Sequence, residues 1–150
     1  MNDEDFLQII DATPLVAIDL ILENSEGLYL LGKRCNKPAQ GYWFVPGGRI
    51  RKNELLTDAM CRISTAELGA EVMFSEATLI GAYEHLYEDN FKAVQGIQTH
   101  YVCLGYRAKL ASEANIATDE QHSEYRWWAL EDILSSTEVH ENTKAYFRLS

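Results

Sequence analysis

Residues 44–70 read FVPGGRIRKNELLTDAMCRISTAELGA, and the reading of this stretch decides the fold. A short apolar strand, Trp43-Phe44-Val45, is stopped by Pro46-Gly47-Gly48, because proline cannot donate to a strand ladder and paired glycines let backbone come close to a ligand or ion. From about Glu54 to Leu68 the pattern turns helical. Leu56, Met60 and Ile63 recur at helix spacing, Ala59 and Ala66 flank them, and Gly69 stands where a helix stops. Glu67 falls at the edge of that apolar stripe, where a charge is costly unless a cation, backbone donors or a metal meets it. Taken alone, it is better explained as a surface-edge glutamate reaching water. The glycine turn that precedes the helix adds a second kind of oxygen donor, the Gly47 carbonyl, and magnesium takes carboxylate, carbonyl, water and phosphate oxygens.

Working outward, Leu15 to Leu22 and Leu28 to Gly32 read as a hairpin about the turn residues Asn24-Ser25-Glu26-Gly27. Asn36 to Gly41 reads as a loop. Leu79 to Tyr87, Thr99 to Lys109 and Tyr125 to Ala129 read as further strands, with shorter helices over Glu131 to Ser135 and Glu138 to Leu149. The expected fold is α/β, of the α+β type, with a mixed sheet sandwiched between helices. Neither a repeat nor a linker divides the chain, so 1–150 is expected to be one domain.

The formal net charge of −10 argues against general nucleic-acid binding, which relies on a basic face. Its distribution is uneven. Lys33, Arg34, Lys37, Arg49, Arg51 and Lys52 lie in a stretch without a single acid, which is either a local anion site or a solvated loop with clustered charge. Apolar runs fall short of the roughly 20 residues that span a bilayer, and the start, Met1-Asn2-Asp3-Glu4-Asp5, is acidic. A cytoplasmic protein without a membrane partner is expected. Cys35, Cys61 and Cys103 form no Cys-x-x-Cys pair and read as reduced thiols at apolar positions.

At Gly48, Glu54, Arg62, Glu67, Gly69 and Ala70 the chain is in register with the Nudix box, which runs from a glycine through a glutamate to Arg-Glu-hydrophobic-any-Glu-Glu-any-Gly-hydrophobic. It departs from the box at Ile63, Ser64 and Ala66, so Glu67 alone remains of three late carboxylates. In these same departures it resembles the GDP-mannose mannosyl hydrolase subfamily. The likeness extends to Thr13-Pro14-Leu15-Val16, Leu31-Gly32-Lys33-Arg34, the run from Pro38 to Arg49, Thr99-His100-Tyr101-Val102 and Asp119-Glu120-Gln121-His122.

The resemblance implies a Nudix fold, a homodimer, and a reaction in which water attacks the anomeric carbon of GDP-mannose with inversion and GDP leaves. GDP-glucose is a further candidate substrate. One Mg2+ would suffice, held by Gly47 through its carbonyl, Glu67 and Gln121, with His122 as general base. Arg34 and Arg49 would meet the diphosphate. Arg62 would contact substrate or, preferably, brace the loop through Glu54. Asp19, Tyr101 and His85 match positions near the leaving group or sugar, and Phe6 is a candidate for stacking on guanine. On sequence alone, Asp19 and Tyr101 are equally ordinary strand residues, Gln121-His122 a polar loop, and Phe6 an aromatic docked on the core. Two rival functions are a pyrophosphohydrolase attacking phosphorus and a non-catalytic nucleotide-sugar sensor. Ile63 and Ala66 count against the first, the retained Glu67, Gln121 and His122 against the second.

Overall fold

In a computed structural model, residues 1–111 and 122–148 are described, with 122 and 123 described as backbone only. The central strand is β1 (Leu15–Glu23), whose alternation sends Ile18, Leu20 and Leu22 into one core and Ile21 into another. Both faces of the strand are therefore covered, and its near-continuous apolar sequence follows from that. Along one edge β1 runs parallel to β6 (Thr99–Lys109), in register from Leu15↔Tyr101 to Glu23↔Lys109. The next strand out, β5 (Thr78–Tyr87), is antiparallel to β6.

Along its other edge β1 meets β2 (Tyr29–Arg34) at the hairpin base, Glu23↔Tyr29. Asn24 holds the turn, its side-chain oxygen accepting from the Glu26 and Leu28 amides at 3.0 and 2.9 Å. Beyond the base β2 diverges and pairs instead with β3 (Trp43–Phe44) and β7 (His122–Trp128). The edge of β1 that it leaves is taken by β4 (Gly47–Arg49), antiparallel through Ala17↔Arg49, Ile18↔Gly48 and Asp19↔Gly47. The glycines read from sequence as a turn thus form a short strand.

Helix α2 spans Leu56–Leu68, two residues shorter at its start than the sequence pattern implied. Ala59, Met60, Ile63 and Leu68 bury its apolar stripe on Ile18, Leu20 and Leu22, and each large side chain so buried contributes roughly 1.5–3 kcal/mol. Gly69 ends the helix at φ 69°, with its amide bonded to the Thr65 carbonyl. On the opposite face α3 (Leu130–Ser135) and α4 (Glu141–Lys144) close a core of Ile21, Leu31, Trp43, Trp128, Ile133, Val139, Tyr146 and Phe147.

Of the predicted helix from Glu138 to Leu149, whose last residue lies outside the described residues, α4 is the part that forms, because the first residues are committed elsewhere. Trp43 donates to the Glu138 carbonyl at 2.8 Å and accepts from the His140 amide at 3.2 Å. His140 then caps α4, its Nδ1 accepting from the Asn142 amide at 3.0 Å. An additional helix, α1 (Asp3–Ala12), precedes β1. Asn2 caps it by accepting from the Asp5 amide at 2.8 Å, and the acidic start supplies the negative charge that a helix N-terminus favours. Among the described residues no helix is long and apolar enough to cross a membrane.

Candidate active site

Gly47 and Asp19 are paired across β4 and β1, and the pairing leaves no room for a side chain on Gly47. A β-carbon there would collide with the Asp19 carboxylate and the Ile18 carbonyl. Gly48 sits over Ile63, where a β-carbon would come within 3.1 Å of Ile63 Cγ1. The strand-to-helix connection is therefore fixed by backbone packed directly on the sheet and on α2. Ile63 is 1% exposed, so the position of a box carboxylate is occupied by an apolar branch that seals helix to glycine turn.

One turn further along α2, Glu67 is 7% exposed and lines a cleft. It is more deeply set than the helix-edge position read from sequence. Tyr125 of β7 holds it, the hydroxyl lying 3.0 Å from the Glu67 carbonyl and 3.2 Å from its Oε2. The connection before the helix is braced by Glu54 and Arg62. Arg62 donates from Nε to Glu54 Oε2 at 2.7 Å, and from Nη2 to Glu54 Oε1 at 2.9 Å and the Arg49 carbonyl at 2.8 Å. The guanidinium holds the Glu54 carboxyl at about 2, well below its usual value. Arg62 thus ties the helix to the glycine strand and also borders the cleft.

The cleft encloses about 850 Å³, the size of a small-molecule site. Its walls bring together Phe6, Asp19, Arg34, Gly47, Arg49, Arg62, Glu67, His85 and Tyr101, residues read from separate parts of the sequence. Gln121 lies outside the described residues. His122 does not sit in a loop before the strand but begins β7, with its backbone opposite Arg34 of β2.

Charge in the cleft is segregated. Among the described residues Arg34, Lys37, Arg49, Arg51, Arg62 and Lys92 border it, against Asp19 and Glu67 as the acids. Arg34 is oriented by its Nε bond to the Pro38 carbonyl at 2.9 Å, and Arg49 lies 4.6 Å from the centroid of the Phe6 ring. Phe6 also packs on Phe91 at 5.2 Å, and Lys92 pairs with Asp3 at 2.9 Å. These contacts anchor α1 at the cleft mouth. Phe6 therefore borders the cleft and docks on the protein as well.

Asp19 points to the same side of β1 as Ile21, away from α2, and reaches the cleft floor. Tyr146 donates to its Oδ2 at 2.6 Å. Tyr146 itself is fully buried, and its ring would clash with any β-carbon on Gly105. Burial pushes Asp19 up to about 6, although the bonds from Tyr146 and Cys103 and the Arg34 charge oppose the rise. His85 stands beside it with Nδ1 3.9 Å from Asp19 Oδ2 and 3.2 Å from Cys103 Sγ. Burial, then the nearby His140, lowers His85 to about 4, so the ring is neutral at physiological pH. Tyr101 lies opposite His85 in the β5–β6 register, its hydroxyl also shifted upward by burial.

Sequence reading left out Tyr125, Tyr146 and Cys103. Tyr125 and Tyr146 reach the site from distant segments of chain, and only three-dimensional proximity identifies them. The spacing of Cys103, two residues after Tyr101, placed it on the same side of β6 and was a usable indication. Cys103 and half-buried Cys35 line the cleft, whereas Cys61 is exposed on α2. The expectation that all three thiols fill apolar positions fails for Cys61.

The NUDIX domain family matches residues 13–149. The chain is 40% identical over 125 residues to the low-salt glycan biosynthesis protein Agl8 of Haloferax volcanii, covering 83% of this chain and 76% of that protein. Among solved structures, a MutT NUDIX hydrolase from Burkholderia pseudomallei is similar at 26% identity and a TM-score of 0.70, over 90% of this chain and 96% of that one. A MutT protein from Methanosarcina mazei Go1 superposes with a TM-score of 0.72 at 18% identity, over 91% and 92% of the two chains, a likeness of fold. Since the matched region takes in the glycine strand, helix α2, every strand of the sheet and most of the cleft, the chain belongs to the Nudix hydrolase family.

Proposed function

We propose that this protein hydrolyses GDP-mannose, with GDP-glucose as a further substrate, to GDP and free sugar by water attack at the anomeric carbon with inversion. The observation that carries the reading is the cleft-facing side of α2, where Ile63 packs on Gly48, Ala66 has no donor, and Glu67 alone offers a carboxylate. With one acid on its cleft-facing side, α2 does not supply the carboxylates that a cluster of metals around a phosphate needs. It suits a single ion and chemistry at carbon. The cationic rim fits a diphosphate, and the volume accommodates a nucleotide-sugar. The glycan-biosynthesis name of the Haloferax volcanii relative supports a sugar-bearing substrate.

The residues present fit magnesium. The donors are oxygens, and Gly47 and the Glu67 carboxylate line the same cleft. Gly47 through its carbonyl, Glu67 and Gln121 would hold one Mg2+, which when bound neutralises charge gathering on the departing diphosphate. Arg34 and Arg49 bind that diphosphate and add to its stabilisation. His122 takes the proton of the attacking water. Asp19, whose pKa burial raises to about 6, and neutral His85 orient the sugar and leaving group with Tyr101, while Phe6 borders the guanine position. Arg62 acts through Glu54 by holding the Arg49 backbone. We assign the protein to the cytoplasm as a homodimer of one-domain chains.

The test is product identification. Incubation of a nucleotide-sugar panel with Mg2+ should yield GDP and free hexose from GDP-mannose. Formation of GMP and hexose 1-phosphate would replace this reading with attack at phosphorus, and no turnover of any member would leave a binding protein.

A further inference from the structure

On the cleft floor Asp19, His85 and Cys103 bring one carboxylate oxygen, one imidazole nitrogen and one sulfur within 4.8 Å of one another. We propose that these three side chains form a second cation site, selective for a thiophilic ion of the zinc class and separate from the oxygen donors of Gly47 and Glu67. Three observations support it. First, the spacing is nearly that of a coordination sphere. Bond lengths to zinc place nitrogen and sulfur ligands of a tetrahedral ion roughly 3.4–3.6 Å apart, and here Cys103 Sγ lies 3.2 Å from His85 Nδ1, which lies 3.9 Å from Asp19 Oδ2. The remaining pair, Asp19 and Cys103, falls within the same 4.8 Å.

Second, the ligands are held from behind. Tyr146 donates to Asp19 Oδ2 at 2.6 Å, the kind of outer contact that orients a metal-binding carboxylate. The His85 ring packs against Tyr87 and Tyr146. Third, the ring nitrogen turned away from the cluster is uncommitted. His85 is 4% exposed, and its Nε2 is buried with no hydrogen-bond partner among the described residues. A cation on Nδ1 fixes the proton on Nε2 and leaves that group free to donate to a ligand in the cleft.

Sulfur and imidazole prefer zinc to magnesium, whereas carbonyl and carboxylate oxygens suit magnesium. The two positions are therefore chemically distinct although they share a cleft. Binding converts the Cys103 thiol to thiolate with release of one proton to solvent. All three ligands line the cleft, so the remaining coordination position faces it. An ion there would also inhibit the hydrolysis proposed above, because it engages Asp19 and His85. That consequence rests on the proposed reaction, whereas binding does not.

The experiment is metal titration of the full chain in the Cys35→Ser, Cys61→Ser background, which leaves Cys103 as its cysteine. Co2+ should produce a thiolate-to-metal charge-transfer absorption, and Zn2+ should abolish it by displacement at an affinity read with a chromophoric chelator. Cys103→Val, and Cys103→Ser in parallel should the valine variant misfold, should lose the absorption and bind Zn2+ at least ~100-fold more weakly. Millimolar Mg2+ should leave the band of the Cys35→Ser, Cys61→Ser protein intact. Absence of the band, equal zinc affinity in folded Cys103 variants, or displacement by Mg2+ would overturn the site. Absence of hydrolysis of every nucleotide-sugar with Mg2+ alone, before any Co2+ or Zn2+ is added, together with an intact Cys103-dependent band in the Co2+ titration, would refute the proposed reaction alone.

Discussion

Ile63 fills the space beneath Gly48 so closely that a single added carbon on the glycine would meet it at 3.1 Å. The glycine strand and helix α2 are thereby locked, and the position cannot house a carboxylate without opening that contact. Ile63→Glu should destabilise the protein by roughly 2–4 kcal/mol, because it buries an acid with no partner. It should not create phosphorus-attacking activity. Urea denaturation and product analysis of the variant check both statements.

Tyr125 is predicted to matter through Glu67. Removing its hydroxyl in Tyr125→Phe withdraws a contact to both the Glu67 carbonyl and carboxylate, which should raise the Mg2+ concentration for half-maximal activity by about 10- to 100-fold and cost about 1 kcal/mol of stability. Glu67→Gln should weaken magnesium activation more severely. A magnesium titration of activity at saturating substrate measures the effect, and an unchanged midpoint in Glu67→Gln would remove that residue as a ligand.

The Glu54–Arg62 brace predicts an acid-sensitive stability. Glu54 is lowered from 4.5 to about 2 in the folded protein, so the unfolded chain takes up the proton first. Its stabilising contribution is fully present above about pH 4.5 and is lost as the pH falls toward about 2. Glu54→Gln should flatten the stability profile over that window in denaturation experiments, with little effect on its slope at neutral pH. An unaltered slope in the acid window would mean that the pair contributes nothing.

Much of this was legible in the sequence because periodicity and breakers agreed. The stripe of Leu56, Met60 and Ile63 with Gly69 at its end located α2, and the acid-free basic stretch located the cleft rim. The β4 strand was not legible, since Gly47-Gly48-Arg49 has little strand propensity and is extended through its pairing with Ala17, Ile18 and Asp19 of β1. Helix α1 was hidden by its acidic start, whose charges serve the helix N-terminus. The buried floor formed by Asp19, His85, Cys103 and Tyr146 joins four separated segments and has no local signature. Glu67 and Arg62 were legible as to position, but their partners Tyr125 and Arg49 emerged from packing.

His122 is predicted to be the general base. Its backbone lies opposite Arg34 across β7 and β2, beside one of the proposed diphosphate ligands. His122→Ala should reduce kcat by roughly 10²- to 10⁴-fold with a modest change in KM, and the acidic limb of the pH–rate profile should disappear. Near-wild-type turnover would exclude it from the mechanism.

Reaction of GDP-mannose with Mg2+ in oxygen-18 water reads directly which bond breaks. Attack at the anomeric carbon places the label in the sugar, leaves GDP unlabelled, and gives the β anomer first, because a single displacement inverts the α linkage. Label in any phosphate group, whether of GDP, GMP or a hexose 1-phosphate, with none on the sugar's own oxygens, would show attack at phosphorus and remove the consequence drawn from Ile63 and Ala66.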